Sequence, residues 1–221
     1  MKVSYRLVII TAVFITCLIT ANIVAVKMIS LGPFILFAAI FVFPLSYIVG
    51  DVLTEVYGYR TARRVIWLGF ACNIIFVFFA WVGQLLPPAG FWEGQGAYEG
   101  ILGFAPRLLA ASFCGYLAGE FANSYIMAKL KIRTKGRWLW LRTIGSTVVG
   151  EGLDSAIFIT LAFIGTPSFA AVMILNHWLF KVGIEAVLTP ATYGIVNWLK
   201  RREGVDTYDY ETKYNPFAVL D

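Results

Sequence analysis

The chain has 221 residues, 59% of them hydrophobic and only 14% charged, with a mean hydropathy of +0.75. No soluble domain of this size could enclose so much apolar surface, so the composition excludes a water-soluble globular protein and points to a polytopic membrane protein. A net charge of +5 would suggest a nucleic-acid partner in a soluble chain, but here the basic residues cluster between hydrophobic runs. The lipid bilayer accounts for them, and no nucleic-acid partner is expected.

The expected fold is an all-α membrane protein. A single domain over residues 1–205 holds six transmembrane helices near 6–28, 34–56, 64–86, 104–128, 142–165 and 169–199, and residues 206–221 form a polar, unstructured cytoplasmic tail. Each run is long enough to cross roughly 30 Å of hydrocarbon at about 1.5 Å per residue. The first exceeds a signal-peptide core and meets no small-residue cleavage site before Lys27, so it is read as a retained span.

The connections alternate in charge. Lys2 and Arg6 precede the first run; Arg60, Arg63 and Arg64 separate the second from the third. A basic stretch from Lys129 to Arg142 separates the fourth from the fifth, and Lys200, Arg201, Arg202 and Lys213 follow the sixth. Of the 18 basic residues only Lys27, Arg107 and Lys181 lie elsewhere. The positive-inside rule then places both termini in the cytoplasm.

In chain order, the first helix carries Thr16, Thr20 and Asn22, with Ala21 and Ala25 as a small pair for close packing. Gly32-Pro33 reads as a tight external turn, the proline starting the next helix. The second helix contains Pro44, expected to bend it, and Asp51 and Glu55 on one face at (i, i+4). Glu55 lies near the cytoplasmic arginines, which leaves open an ion pair or a site role; Asp51, one turn deeper, is a site candidate. The third helix offers Asn73, a residue type that in membranes bonds a neighbouring helix or a ligand. The following loop carries Phe91, Trp92, Tyr98 and Phe104, either interfacial anchors or a lid.

The fourth helix combines a smooth Ala111, Gly115, Gly119 face with Glu120 and Asn123 at (i, i+3). The fifth repeats the design with Glu151 and Asp154, the first acid flanked by Gly150 and Gly152. The sixth carries Asn176 and a stripe of His177, Lys181 and Glu185 spaced four apart, with Pro190 beyond. Charged groups at mid-bilayer cost roughly 2.5–3.5 kcal/mol each, so they face a protein interior and mark a functional path.

Of the 13 acids, Asp51, Glu55, Glu120, Glu151, Asp154 and Glu185 lie within predicted spans, where only Lys181 and His177 can offset them. The surplus of negative charge calls for protonation, hydrogen-bond donors, or a ligand carrying N–H groups or positive charge. The candidate substrate-binding residues are Asn22, Asp51, Glu120, Asn123, Glu151, Asp154, Asn176, His177, Lys181 and Glu185. Cys17, Cys72 and Cys114 each lie in an apolar run and read as reduced packing residues; with a single His, no metal site is expected, and no cofactor or catalytic residue. The pattern GxxxxGK[ST] does not occur, so the chain itself does not hydrolyse ATP by that route. An intramembrane enzyme is the weaker reading, since no metal motif or nucleophile constellation accompanies His177.

The segments FPLSYIVGDVLTEVYGYRTARR, SFCGYLAGEFANSYIMAKLK, IGSTVVGEGLDSAIFITLAF and FKVGIEAVLTPATYG resemble the queuosine precursor transporter family, of the vitamin-uptake-transporter type. The resemblance covers roughly residues 20–200. It implies an inner-membrane importer of 7-deazaguanine nucleobases (preQ0, preQ1 or queuine) destined for tRNA modification. The implied fold is similar to the substrate-binding subunits of energy-coupling-factor transporters. The alternative it implies is such a binding subunit, needing separate ATPase subunits; a second copy of the chain or the energy-coupling module are the partners left open.

Asp51, Asp154 and Lys181 stand in matching positions, and Glu120 and Glu151 stand where some relatives carry an uncharged amide. A carboxylate can accept the paired N–H groups of a guanine-like edge, while Lys181, Asn123 or Asn176 can serve its carbonyl oxygen. Trp178 or Tyr125 can stack on the ring.

Overall fold

The computed structural model describes residues 4–32, 34–103, 106–165, 169 and 171–218. Seven helices dominate them: α1 (Tyr5–Val24), α2 (Phe43–Tyr57), α3 (Tyr59–Leu85), α4 (Gln95–Leu102), α5 (Pro106–Arg133), α6 (Leu139–Phe163) and α7 (Ala171–Glu203). By length and composition, α1, α3, α6 and α7 can each cross a membrane. Their outward faces stay apolar, with Phe78, Phe79, Val187 and Leu179 exposed. Polar side chains instead line the interior, the reverse of a soluble bundle, as hydrocarbon solvent requires.

The second apolar run departs from the expectation of one helix over 34–56. A two-stranded antiparallel hairpin comes first, β1 (Met28–Leu31) with β2 (Phe34–Phe37), paired from Met28 with Phe37 to Leu31 with Phe34. Gly32 sits in its turn at φ 59°, a left-handed conformation that glycine adopts without steric cost. A 3₁₀ turn (Ala38–Phe41) then leads into α2, which has only 15 residues. Period alone could not separate these elements, because a short continuous apolar run suits helix and strand equally. The same boundary corrects the expected kink at Pro44. The proline lies in the first turn of α2, where its missing N–H costs nothing and its fixed φ favours a helix start.

Gly58, at φ 82°, joins α2 to α3 without a loop. α5 and α6 form the most intimate helix pair, packed through glycine. A Cβ on Gly119 would lie 2.8 Å from the Asp154 Cβ, and one on Gly150 2.8 Å from the Asn123 Cβ. The small-residue face expected on α5 is therefore used, and it brings the acids of α6 against α5. Beyond the third helix, the aromatic loop folds into α4. Tyr98 donates to the Ala80 carbonyl of α3 at 3.0 Å, and Trp92 meets Tyr98 edge-on. Phe104 lies outside the described residues.

Among the described residues, Arg6, Arg63, Lys131, Arg142 and Lys200 from the basic ends gather at one pole. Ser4 and Arg6, at the start of α1, reach Glu203 at the end of α7 at 2.7 and 2.9 Å. The tail, expected to be unstructured, crosses this pole as an ordered strap. The Asp209 carboxylate accepts from the Tyr59 N–H at 3.0 Å, and Arg63 donates to the carbonyls of Lys213 and Asn215 at 2.9 and 2.7 Å. Trp67 donates to the Pro216 carbonyl at 2.7 Å. Its polar composition reads as disorder in isolation, but the unsatisfied N-terminal amides of α3 and the basic residues around them supply its partners.

Candidate functional site

A cavity of about 210 Å³ lies at the pole opposite the strap, in the half of the molecule where α1 ends and α7 begins. The charged part of its wall is built on three helices. Lys181 of α7 donates to Glu151 Oε2 at 2.8 Å and to Asp154 Oδ2 at 2.5 Å, both on α6. Glu151 and Asp154 meet one lysine because (i, i+3) spacing puts them on one helical face. Tyr47 of α2 donates its hydroxyl to the same Glu151 oxygen at 3.0 Å. Glu120 of α5 also lines the cavity and has no hydrogen-bond partner among the described residues.

The rest of the wall is largely aromatic. Phe43 and Tyr47, one turn apart on α2, stand with parallel rings at 6.0 Å, and the Lys181 ammonium lies 5.0 Å from the Phe43 ring. Phe37 of β2 packs on His177 at 5.3 Å and edge-on to Phe158 at 6.1 Å. On the far side Asn22 of α1 donates to Asn73 of α3 at 2.6 Å, so both asparagines reach the wall while holding two helices together.

Of the ten residues expected from sequence, Asn22, Glu120, Glu151, Asp154, His177 and Lys181 line this cavity. Asp51, Asn123, Asn176 and Glu185 do not. Asp51 and Glu185 are fully buried one helical turn beyond Tyr47 and Lys181, with Asn123 donating to Asp51 Oδ1 at 3.0 Å. The anticipated stacking residues also lie elsewhere. Trp178 donates its indole N–H to the Val148 carbonyl at 2.8 Å, and Tyr125 packs edge-on to Tyr214 in the strap. Among the aromatic side chains that line the cavity instead are Phe37, Phe43, Tyr47 and Phe158. Tyr47 was legible, because it precedes Asp51 by four residues on the face already assigned; Phe37 was not, since nothing marks it within its apolar run.

Glu55 has the other role left open by its position. It is fully buried and accepts two bonds from Arg142, at 3.0 and 2.8 Å, and one from Lys200 at 2.7 Å. Lys131 approaches it at 3.7 Å and reaches Asp206 of the strap at 2.5 Å. Burial opposes ionisation of Asp206, but hydrogen bonds from Lys131 and Lys200 outweigh that and hold its carboxyl below the usual aspartate range. Together these residues form a closed ionic network at the strap pole, separate from the cavity.

Residues 37–195 match the family described as "Putative vitamin uptake transporter". A "Probable queuosine precursor transporter" of Bacillus subtilis is 33% identical over 146 residues, which make up 65% of this chain and 64% of that protein. The "Queuosine precursor transporter" of Escherichia coli is 31% identical over 172 residues, 73% of each chain. A "Probable queuosine precursor transporter" of Haemophilus influenzae is 24% identical over 162 residues, 70% of this chain and 65% of its own. The chain thus spans slightly less than two thirds of the Bacillus relative it matches. No solved structure matches it. The matched region takes in the cavity wall from Phe37 to Lys181, and on these matches the chain belongs to the vitamin uptake transporter family.

Proposed function

We propose that this protein imports queuosine precursors, 7-deazaguanine nucleobases, through the cavity at Lys181. The observation that carries this reading is a small aromatic-walled cavity whose single lysine is shared by Glu151 and Asp154 while Glu120 stands unpaired. At about 210 Å³ it is smaller than the roughly 300–1,000 Å³ of sites for drug-sized ligands, a size that suits a small flat molecule. Glu120 or Asp154 accepts the paired N–H groups of the base, and Lys181 serves its carbonyl oxygen. The rings of Phe43 and Tyr47 supply apolar faces for the purine-like plane. His177 closes the wall beside Phe37. The names of the three relatives support this substrate class.

The proposal includes six crossings, by α1, the hairpin with α2, α3, α5, α6 and α7. α2 alone, with its 15 residues, covers only about 22 Å at 1.5 Å per residue, so the hairpin completes that crossing. The strap pole, which collects the basic residues, then faces the cytoplasm, placing both termini inside and the cavity toward the exterior of the inner membrane. The same arrangement is compatible with a substrate-binding subunit served by a separate energy-coupling module, as the missing P-loop allows; uptake by the chain alone in liposomes decides between them.

The test is rescue. Cells unable to make queuosine, fed a 7-deazaguanine, regain modified tRNA when they express this protein, and Lys181→Ala or Asp154→Ala abolishes the rescue at equal membrane expression. Unchanged rescue by both variants would overturn the site.

A further inference from the structure

Asp51 and Glu185 are fully buried and lie outside the cavity wall, and the proposed path for the base does not use them. They lie on α2 and α7, two helices that pack against each other. Asp51 Oδ2 and both carboxylate oxygens of Glu185 have no hydrogen-bond partner among the described residues. Neither does Asn123 Oδ1, whose amide head is held against Asp51 by its own Nδ2. All four orphaned atoms are acceptors. Water-excluded acceptors gathered without a donor are costly to maintain unless something positive visits them.

The protein's own nearby cations are committed elsewhere. Lys181 is held by Glu151 and Asp154, while Arg142, Lys131 and Lys200 are held by Glu55 and Asp206. Among the charged groups around Asp51 are Glu185 from α7 and Glu120 from α5, with Glu55 on its own helix; Glu151 of α6 stands near Glu185. Every one of them is acidic.

We propose that Asp51, Glu185 and the side-chain oxygen of Asn123 form a monovalent-cation site, for a proton or a sodium ion, one turn from the nucleobase cavity on α2 and α7. Its placement suits coupling. Asp51 shares its helix face with Tyr47 on the cavity side and Glu55 on the strap side, and Glu185 shares its face with Lys181. A cation bound there draws α2, α5 and α7 together, the helices that also carry the cavity's Tyr47, Glu120 and Lys181. That the site drives uptake rests on the transport reading above; that it holds a cation does not.

The test uses the purified full chain in detergent, comparing sodium with choline and alkaline with mildly acidic buffer. If sodium is the ion, radioactive sodium binds to a single class of sites and raises the thermal midpoint. Asp51→Asn and Glu185→Gln each weaken that binding by roughly tenfold or more. If the ion is a proton, sodium has no effect, acidification raises the midpoint of the wild-type chain, and the same variants lose that pH response. Each variant keeps the shape of its side chain, and either one suffices if the other does not fold. A wild-type chain indifferent to both ions, or variants that keep the wild-type response, would overturn the proposal. Deazaguanine binding to the same samples is the control. Its absence from the wild-type chain breaks the transport reading alone, and its retention in both variants with loss in Lys181→Ala separates this site from the cavity.

Discussion

Glu55 and Glu151 are both buried glutamates bonded to a lysine, and they sit in opposite kinds of surroundings. Glu55 is ringed by Arg142, Lys200 and Lys131, with Asp206 taking up part of the remaining positive charge, and every charged head there has a partner. Glu151 shares a single lysine with Asp154, borrows a hydroxyl from Tyr47, and faces the unpaired Glu120 across open space. The first set of charges is closed on itself and fastens helix ends together. The second is open, and its missing positive charge and hydrogen bonds are what a ligand would provide. Whether every charged head finds a partner, rather than burial or residue type, separates scaffold from site.

That contrast can be broken at either end. The largest effect is expected from Glu55→Ala, which strands Arg142, Lys200 and Lys131 around an empty centre. Removing one partner of a buried ionic network costs about 3–5 kcal/mol, so the variant should lose most of its folded yield and unfold well below the wild type in a thermal scan. Near-normal stability would mean the network is decoration. Lys181→Ala should act on the other axis. Losing the charged partner of a buried group costs about 2–5 kcal/mol in binding, which means nucleobase affinity, measured on purified protein, falls by at least tenfold while the stability loss stays smaller than that of Glu55→Ala.

Gly150→Ala probes the scaffold that joins the two regions. Its new methyl would meet Asn123 Cβ at 2.8 Å and the Gly119 carbonyl oxygen at 2.9 Å, and overpacking of this kind costs about 1–3 kcal/mol. Thermal unfolding should show that loss, with binding weakened alongside because Asp154 rides on the same helix pair. The smallest effect belongs to Asp206→Ala, an exposed pair member worth about 0–1 kcal/mol and screened by salt. Since the Asp206 carboxyl is held below its ordinary range, its contribution is present above about pH 4 and is lost as the pH falls through the depressed folded value. Limited proteolysis should release the strap more readily in acid, and in Asp206→Ala at neutral pH as well; a strap equally resistant in all cases would assign its anchoring to Asp209 and to the Arg63 and Trp67 contacts.

How much of this was legible in the sequence varies by element. Composition and the grouping of basic residues suffice for a membrane-embedded helical chain with its basic connections at one pole, because hydrocarbon admits few other arrangements of so apolar a sequence. Helical period suffices to put Glu151 beside Asp154 and Lys181 in line with Glu185. The hairpin at 28–37 was hidden because a uniformly apolar run carries no period to distinguish strand from helix. The strap was hidden because its position is fixed by distant partners such as Tyr59, Arg63 and Trp67.

By itself, the sequence determined that six carboxylates would be taken out of water with too few cations to match them. Only the tertiary structure decided which cations, from the spans or from the basic connections, each acid receives. Glu55 takes three, Glu151 and Asp154 divide one, and Glu120, Asp51 and Glu185 take none. The reason is geometric: ion pairs and hydrogen bonds are made over about 3 Å, a range that depends on which helices pack together, and the chain's local pattern says only which face each residue occupies.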